Sequence, residues 1–506
     1  MRRLKDLDEL RVRLLEIDDL DSTASLARWD QMVCMPSGGG SARGRQLATL
    51  GRLAHEKLID PEMGRLLDRL DHELHSLPPE DDDAALVRVT RRRYERSARV
   101  PASLVAALDE HAAKAYQVWT RARPANDFAA VRPHLEKLLD LSRERANCAS
   151  EYESIADPLI ALDDEGMKAS SIRELFRVLR ARLVPLVRAI TSVPAVDTSC
   201  VRQGAAAEHQ LAFARRVMKA FGYDFERGRL DLTPHPFSAK IAHDDVRATT
   251  RVRPDNLTEC LFIALHEAGH GIYSQGGRAE LEGTPLATPP SAGLDESQAR
   301  LWENVVGRSR GFWEHFYPQL QREFPQQLGA VALDTFHRAI NSVERSLLRG
   351  QADEVTYNLH VMLRFDLEID LLEGRLEVKD LARAWRERFE ADFGIPVPDD
   401  ARGVLQDVHW YSGRIGGVFQ GYTLGNLMSA QLYAGAIAAH PEIPEQIANG
   451  KFETLRYWLR DNVYVHGAKF TANEVMRRAT GSDVSIEPYV EYLNRKYRPL
   501  YALDAR

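Results

Sequence analysis

A mainly helical fold is predicted, and three observations predict it. Apolar residues recur at helical spacing along most of the chain, strand-like composition is concentrated in residues 228–254, and an H-E-x-x-H motif sits in an apolar run suited to a buried helix. With 506 residues, 44% of them hydrophobic and 28% charged, the chain has globular proportions. A single core rarely outgrows roughly 250–300 residues, so one domain spanning 1–506 is expected to form two helical lobes around a groove.

Taken in order, Leu4, Leu7, Leu10 and Leu14 mark the apolar stripe of an N-terminal helix. Residues 30–44, DQMVCMPSGGGSARG, read as a Gly-rich loop; without the GK[ST] ending of a P-loop it is a structural connection rather than a phosphate cradle. Ser171 and Glu174 offer a capping box ahead of Leu175, Phe176, Leu179 and Leu183, and Pro185 is expected to kink or divide that helix. Residues 228–254 predict one or two short strands immediately before the motif helix. Residues 330–372 and 425–438 return to helical periodicity.

Several function classes are excluded. Lys and Arg number 67 against 74 Asp and Glu, a net charge of −7 with no long basic block, so nucleic acid is not an expected partner. Charges interrupt the first twenty residues, unlike a signal peptide, and no run approaches the length of a membrane helix. Cys34, Cys148, Cys200 and Cys260 lie far apart, so neither a thiolate metal site nor a disulfide framework is predicted. A soluble cytoplasmic protein is expected.

The chemistry centres on Leu265-His266-Glu267-Ala268-Gly269-His270-Gly271. Four residues of helix rotate through about 400°, which sets His266 and His270 on one face, one turn apart, where both imidazoles reach a single ion. Zinc suits two such nitrogens, and Glu267 is placed to take a proton from the water that attacks a carbonyl carbon. A catalytic site of this kind takes a third protein ligand. Asp295, Glu296, Glu303 and, upstream, His243 are the candidates. Asp295 reads as a helix N-cap with Gln298 three residues on, Glu296 then falls in the first turn, and Glu303 lies two turns further along.

These residues belong to a longer set of ordered motifs: His235-Pro236-Phe237; Asp245, Arg247 and Thr249; the H-E-x-x-H helix; Glu296-Ser297-Gln298; Arg349, Ala352 and Asp353; and Gly403, Gln406, Asp407, His409 and Trp410. In that order they resemble the thermostable carboxypeptidases of the Taq type, peptidase family M32, from Trp29 to Tyr497. The resemblance implies a metal-dependent carboxypeptidase that trims peptides with a free C-terminus, a helical homodimer with a deep groove, Glu296 as third ligand and Glu267 as general base. It implies one divalent ion per chain, with zinc favoured and cobalt or another ion compatible. Two departures stand out. Asp295 replaces the family's His in H-E-S-Q, and Phe419-Gln420-Gly421-Tyr422 stands where the family has F-P-T-Y.

A carboxypeptidase must recognise a free carboxylate, which a guanidinium does with paired charge-assisted bonds. Arg247 and Arg349 are the candidates by motif. The structural alternatives are ion pairs of Arg349 with Asp353 and of Arg247 with Asp245. His409 and Tyr422 are candidate donors to a tetrahedral oxyanion, and His235 a candidate substrate contact or loop-shaping residue. A strand near Asp245–Arg251 is expected to pair with extended peptide. Two rival readings are an endo-acting zinc oligopeptidase and a silent peptide-binding homologue that lost turnover through the Asp295 change.

Overall fold

The structure, a computed structural model, describes residues 2–503, with side chains from Lys5 onward. It is predominantly helical, as the periodicity predicts. The N-terminal part comprises α1 (Arg2–Val33), α2 (Gly40–Leu58), α3 (Pro61–Leu74), α4 (Asp82–Ala98), α5 (Ala102–Ala122) and α6 (Phe128–Ala146). Leu7, Leu10 and Leu14 of α1 are buried against Leu66 and Leu70 of α3 and Leu86 of α4, forming a small core of their own, while the Leu4 side chain lies outside the described residues. The Gly-rich break is shorter than expected. Only residues 34–39 interrupt the helices, because Gly40 and Gly44 already lie within α2.

After a single turn, α7 (Asp157–Ile160), come α8 (Ala169–Thr191) and α9 (Ala207–Phe221). The Ser171–Glu174 capping box is not the one used. Helix α8 starts three residues earlier, with Lys168 at its N-cap; Ser171 Oγ accepts from the Lys168 N–H, and Glu174 pairs with Arg177. Pro185 does not divide α8 either: Leu183, Leu186, Val187 and Ile190 around it are buried, and that packing holds the helix together where the proline removes one backbone bond. Helix α9 ends on Gly222, whose φ of +101° is the left-handed C-cap that glycine adopts without strain.

Residues 228–254 yield three strands rather than one or two: β1 (Gly228–Leu232), β2 (Ser238–Ala242) and β3 (Asp245–Thr250). Their order is β1-β3-β2, with β3 parallel to β1 and antiparallel to β2. With both edges of β3 paired, that strand has no edge left for a peptide, which corrects the pairing expected at Asp245–Arg251.

The motif helix is α10 (Glu259–Gly276), apolar on nearly every side and buried accordingly. Asn256 Oδ1 caps its start by accepting from the N–H groups of Thr258 and Glu259, each at 3.1 Å. Val246 and Ala248 of β3 are fully buried, and Thr250 donates to the Cys260 carbonyl at 2.9 Å, so this face of the sheet lies on α10. Helix α11 (Ala292–Arg300) follows, continued by a π-helical turn over Leu301–Val306.

The remaining helices are α12 (Arg310–Glu323), α13 (Pro325–Leu328), α14 (Leu333–Ile340), α15 (Tyr357–Leu372), α16 (Leu381–Phe393), α17 (Gln420–Ala439), α18 (Ile443–Ala448), α19 (Glu453–Asn462), α20 (Ala472–Thr480) and α21 (Glu487–Leu500). Residues 330–372 are therefore two helices joined by a loop that carries Arg349, whereas 425–438 falls inside α17. One large core unites α5–α21 with the inner face of the sheet. No described helix is long and apolar enough to cross a membrane, and the four cysteines are unpaired.

Candidate active site

Helix α10 presents His266 and His270 one turn apart, with ring centroids 5.2 Å apart. Both Nε2 atoms lie 3.7 Å from Oε2 of Glu296 on α11. Bonds of 2.0–2.2 Å to a tetrahedral ion put neighbouring donors about 3.4 Å apart, so these three atoms suit one cation. The far nitrogens are engaged from the same helix segment. Glu303 Oε2 accepts from His266 Nδ1 at 3.0 Å, and Asp295 Oδ1 lies 3.1 Å from His270 Nδ1. Each imidazole is thus turned by a carboxylate so that Nε2 faces the site, the arrangement that fixes ring orientation in metal centres.

Asp295 is consequently not the N-cap that the sequence predicts. Ser291 caps α11 by accepting from the Leu294 N–H at 3.0 Å, which moves Asp295 into the first turn and against His270. Glu303, which spacing alone left far from the ligands, is brought to His266 by the π turn. That turn opens the helix by one residue, and π insertions of this kind recur at functional sites. His243 sits in the β2–β3 turn beside Arg227, away from the group.

Sequence reasoning missed Arg300. Its Nε donates to Glu296 Oε1 at 2.6 Å and its Nη1 to Glu303 Oε2 at 3.3 Å, leaving Glu296 Oε2 facing the histidines. The signal was the E-x-x-x-R-x-x-E spacing, which places the three side chains on one helical face. Burial raises carboxyl pKa values, yet the His266 hydrogen bond and Arg300 bring Glu303 down to about 2, and Arg300 with the histidines holds Glu296 below its ordinary value. Burial works against a charged His270, but Asp295, Glu267 and Glu296 outweigh it and raise the imidazole to about 10. A positive charge is therefore favoured between these carboxylates, which fits a cation there, and loading one displaces a proton. Glu267 is only 6% exposed, and burial raises its carboxyl pKa.

Two glycines let α11 approach this closely. A Cβ on Gly269 would stand 2.6 Å from Ala299 Cα and from the Gln298 carbonyl oxygen; one on Gly425 of α17 would stand 2.7 Å from Glu296 Cγ. Gly269→Ala is expected to lower stability by about 1–3 kcal/mol, the usual range for overpacking. Gly425→Ala is expected to weaken metal binding more than it lowers the thermal midpoint, because its methyl meets the Glu296 side chain, Cγ at 2.7 Å and Cβ at 2.8 Å, more tightly than the backbone carbon at 3.2 Å. Thermal unfolding and a metal titration on each variant check both.

A groove of about 1180 Å³ reaches the group formed by His266, His270 and Glu296 at His266 and is lined by His266, Glu267, His235, Arg349 and His409. Arg349 does not pair with Asp353, since the chain there is a short 3₁₀ turn rather than a helix. Instead Nε donates to Asp407 Oδ2 at 2.8 Å and Nη1 to the Tyr357 hydroxyl at 3.0 Å, while Asp353 accepts from the N–H groups of Glu344, Val355 and Thr356. Asp407 also binds His409 Nδ1 in a short hydrogen bond. Burial opposes its charge, but His409, Arg349 and Arg364 hold its carboxyl well below the usual carboxylate range. Tyr422 packs edge-on against His409 and Tyr357, with the Arg349 guanidinium 5.5 Å from its ring, and burial raises its hydroxyl pKa. His235 is exposed at the groove wall. Arg247 lies elsewhere: it forms a two-bond pair with Asp245 and stacks 4.3 Å from the Trp29 ring of α1, on the sheet face opposite α10.

The family described as carboxypeptidase Taq (M32) metallopeptidase matches residues 9–497. Thermostable carboxypeptidase 1 of Thermus thermophilus is 39% identical over 492 residues, covering 95% of this chain and 96% of its own length. Carboxypeptidase 1 of Bacillus subtilis is 31% identical over 491 residues, 97% of each chain. Among solved structures, the M32 carboxypeptidase of Deinococcus radiodurans superimposes with a TM-score of 0.96 at 45% identity, covering 98% of this chain and 100% of that one. Trypanosoma cruzi metallocarboxypeptidase 1 does so with a TM-score of 0.92 at 30% identity, covering 98% and 99%.

Proposed function

The chain belongs to the carboxypeptidase Taq (M32) family of metallopeptidases, and from that premise we propose that it releases single amino acids from peptide C-termini. One divalent ion is held by His266, His270 and Glu296, and two imidazoles with one carboxylate favour zinc. The observation that carries the exopeptidase reading is that Arg349 lines the same groove as Glu267 and His266. A homodimer in the cytoplasm is part of the reading and rests on the resemblance and the unpaired cysteines.

When bound, the metal supplies Lewis acidity, polarising the scissile carbonyl and lowering the pKa of water. The chain's own groups do the rest. Arg349, fixed through Nε by Asp407 and through Nη1 by Tyr357, offers Nη2 to the terminal carboxylate and so sets the register of the last residue. Glu267 takes the proton of the attacking water on its carboxylate and passes it to the leaving amine nitrogen. His409, with Nδ1 tied to Asp407, donates from Nε2 to the developing oxyanion, and Tyr422 beside it is the second donor. His235 contacts the peptide upstream. Carboxylate recognition is assigned to Arg349 in preference to Arg247, whose pairing with Asp245 and stacking on Trp29 tie α1 to the sheet.

Arg349→Ala tests this. A charged hydrogen bond is worth about 1.5–3 kcal/mol. Cleavage of a free-acid peptide is expected to weaken accordingly, while metal content holds and the C-terminal amide loses less. The same substitution at Arg247 is expected to lower stability and leave the free-acid to amide ratio of kcat/KM alone. An unchanged ratio for Arg349→Ala removes the clamp from Arg349.

A further inference from the structure

The F-Q-G-Y departure at 419–422 finds a partner in Asp164, a residue that no step above uses. Asp164 is 1% exposed. Its Oδ1 accepts from the Gly293 N–H in the first turn of α11 at 2.9 Å, and its Oδ2 accepts from Gln420 Nε2, the first residue of α17, also at 2.9 Å. Around it the fit is close. A Cβ on Gly293 would stand 3.0 Å from Oδ1, and one on Gly421 would stand 3.4 Å from Oδ2 and 3.5 Å from the Ala292 Cβ. The neighbouring Asp163 carbonyl accepts from the Ala292 N–H at 2.7 Å, so residues 163–164 receive two of the first N–H groups of α11. Glu296 stands three residues beyond Gly293, and Tyr422 two residues beyond Gln420.

We propose that Asp164 is a positioning residue that sets the spacing between the metal ligand Glu296 and the oxyanion donor Tyr422, by accepting one hydrogen bond from the first turn of each helix. The proposal rests on the roles given to Glu296 and Tyr422 above. The proline that the resembled family has at position 420 carries no side-chain donor, so Gln420 makes this two-armed contact a feature of this chain. Burial pushes the Asp164 carboxyl up to about 6, and the Gly293 and Gln420 hydrogen bonds oppose that rise, so the two donors keep the acceptor form populated.

The test is a reversal of the pair. Asp164→Asn keeps one oxygen for the Gly293 N–H and sets its NH2 group towards Gln420, which can accept from it only by turning its own amide and giving up the Gly417 carbonyl that Nε2 also binds at 2.8 Å. It is expected to weaken zinc binding about tenfold in a chelator competition, as loss of a group that orients a ligand does. It is also expected to lower kcat at saturating zinc with KM little changed. Combining Asp164→Asn with Gln420→Glu restores a donor–acceptor pair with the roles exchanged, and both quantities are expected to recover. If Asp164→Asn does not fold, Gln420→Leu cuts the α17 arm alone, with kcat expected to fall and zinc affinity to hold. The idea is overturned by a lowered thermal midpoint with zinc affinity and metal-saturated kcat both unchanged, or by a reversed pair that regains stability without regaining either. Glu296→Ala in the unmodified background separates the two levels: retention of zinc there removes the ligand assignment itself, whatever Asp164 does.

Discussion

Glu267→Gln is expected to keep its metal ion and to lose about 10²- to 10⁴-fold in kcat, the range for removing a general base. The carboxamide has the shape of the carboxylate and fits the same buried position, but it accepts no proton at neutral pH. His266, His270 and Glu296 are untouched by the change, since Glu267 is not among the residues whose atoms converge on one another. Elemental analysis and single-turnover hydrolysis of a free-acid peptide measure the two effects separately. Near-native turnover in a metal-replete variant would remove Glu267 from the reaction.

The second large effect is on metal binding. Glu296→Ala deletes a donor and is expected to lower affinity beyond the roughly 10- to 100-fold typical of residues that only orient a ligand. Asp295→Ala is expected to stay within that smaller range, because Asp295 contacts His270 Nδ1 and not the cation position. No helix-cap penalty accompanies it, since the cap is Ser291. A zinc titration of both variants ranks them. The reverse order, with Asp295→Ala losing the ion and Glu296→Ala keeping it, would overturn the ligand set.

What was legible in the sequence was local. His266, Glu267 and His270 are fixed relative to one another by helix geometry, so their spacing alone places them, and the apolar run before them predicts burial correctly. That Glu296 joins the two histidines was not legible from spacing. It depends on how α11 crosses α10, which is set by contacts such as Gly269 against Ala299. Spacing allows a cap at Asp295 or at Ser291, four residues earlier, and the start at Ser291 is held by Asp163 and Asp164, more than a hundred residues away, which accept from the first N–H groups of α11. The ion-pair alternative for Arg349 presupposes a continuous helix that brings Asp353 alongside, whereas the partner Asp407 lies on a distant loop. The third strand is not legible because β2, Ser-Ala-Lys-Ile-Ala, has little β-branched character and is held by its pairing to β3. Pro185 does not divide α8 because packing holds the helix together, which a reading of propensity does not contain.

The central claim, metal-dependent release of single C-terminal residues, is tested most directly by following products over time. One peptide is supplied as the free acid and as the C-terminal amide, each with and without a chelator. The expected result is stepwise release of single amino acids from the free acid, abolished by the chelator and restored by zinc, with the amide cut poorly. Internal cleavage of both forms at similar rates, or release that persists in the chelator, would contradict it.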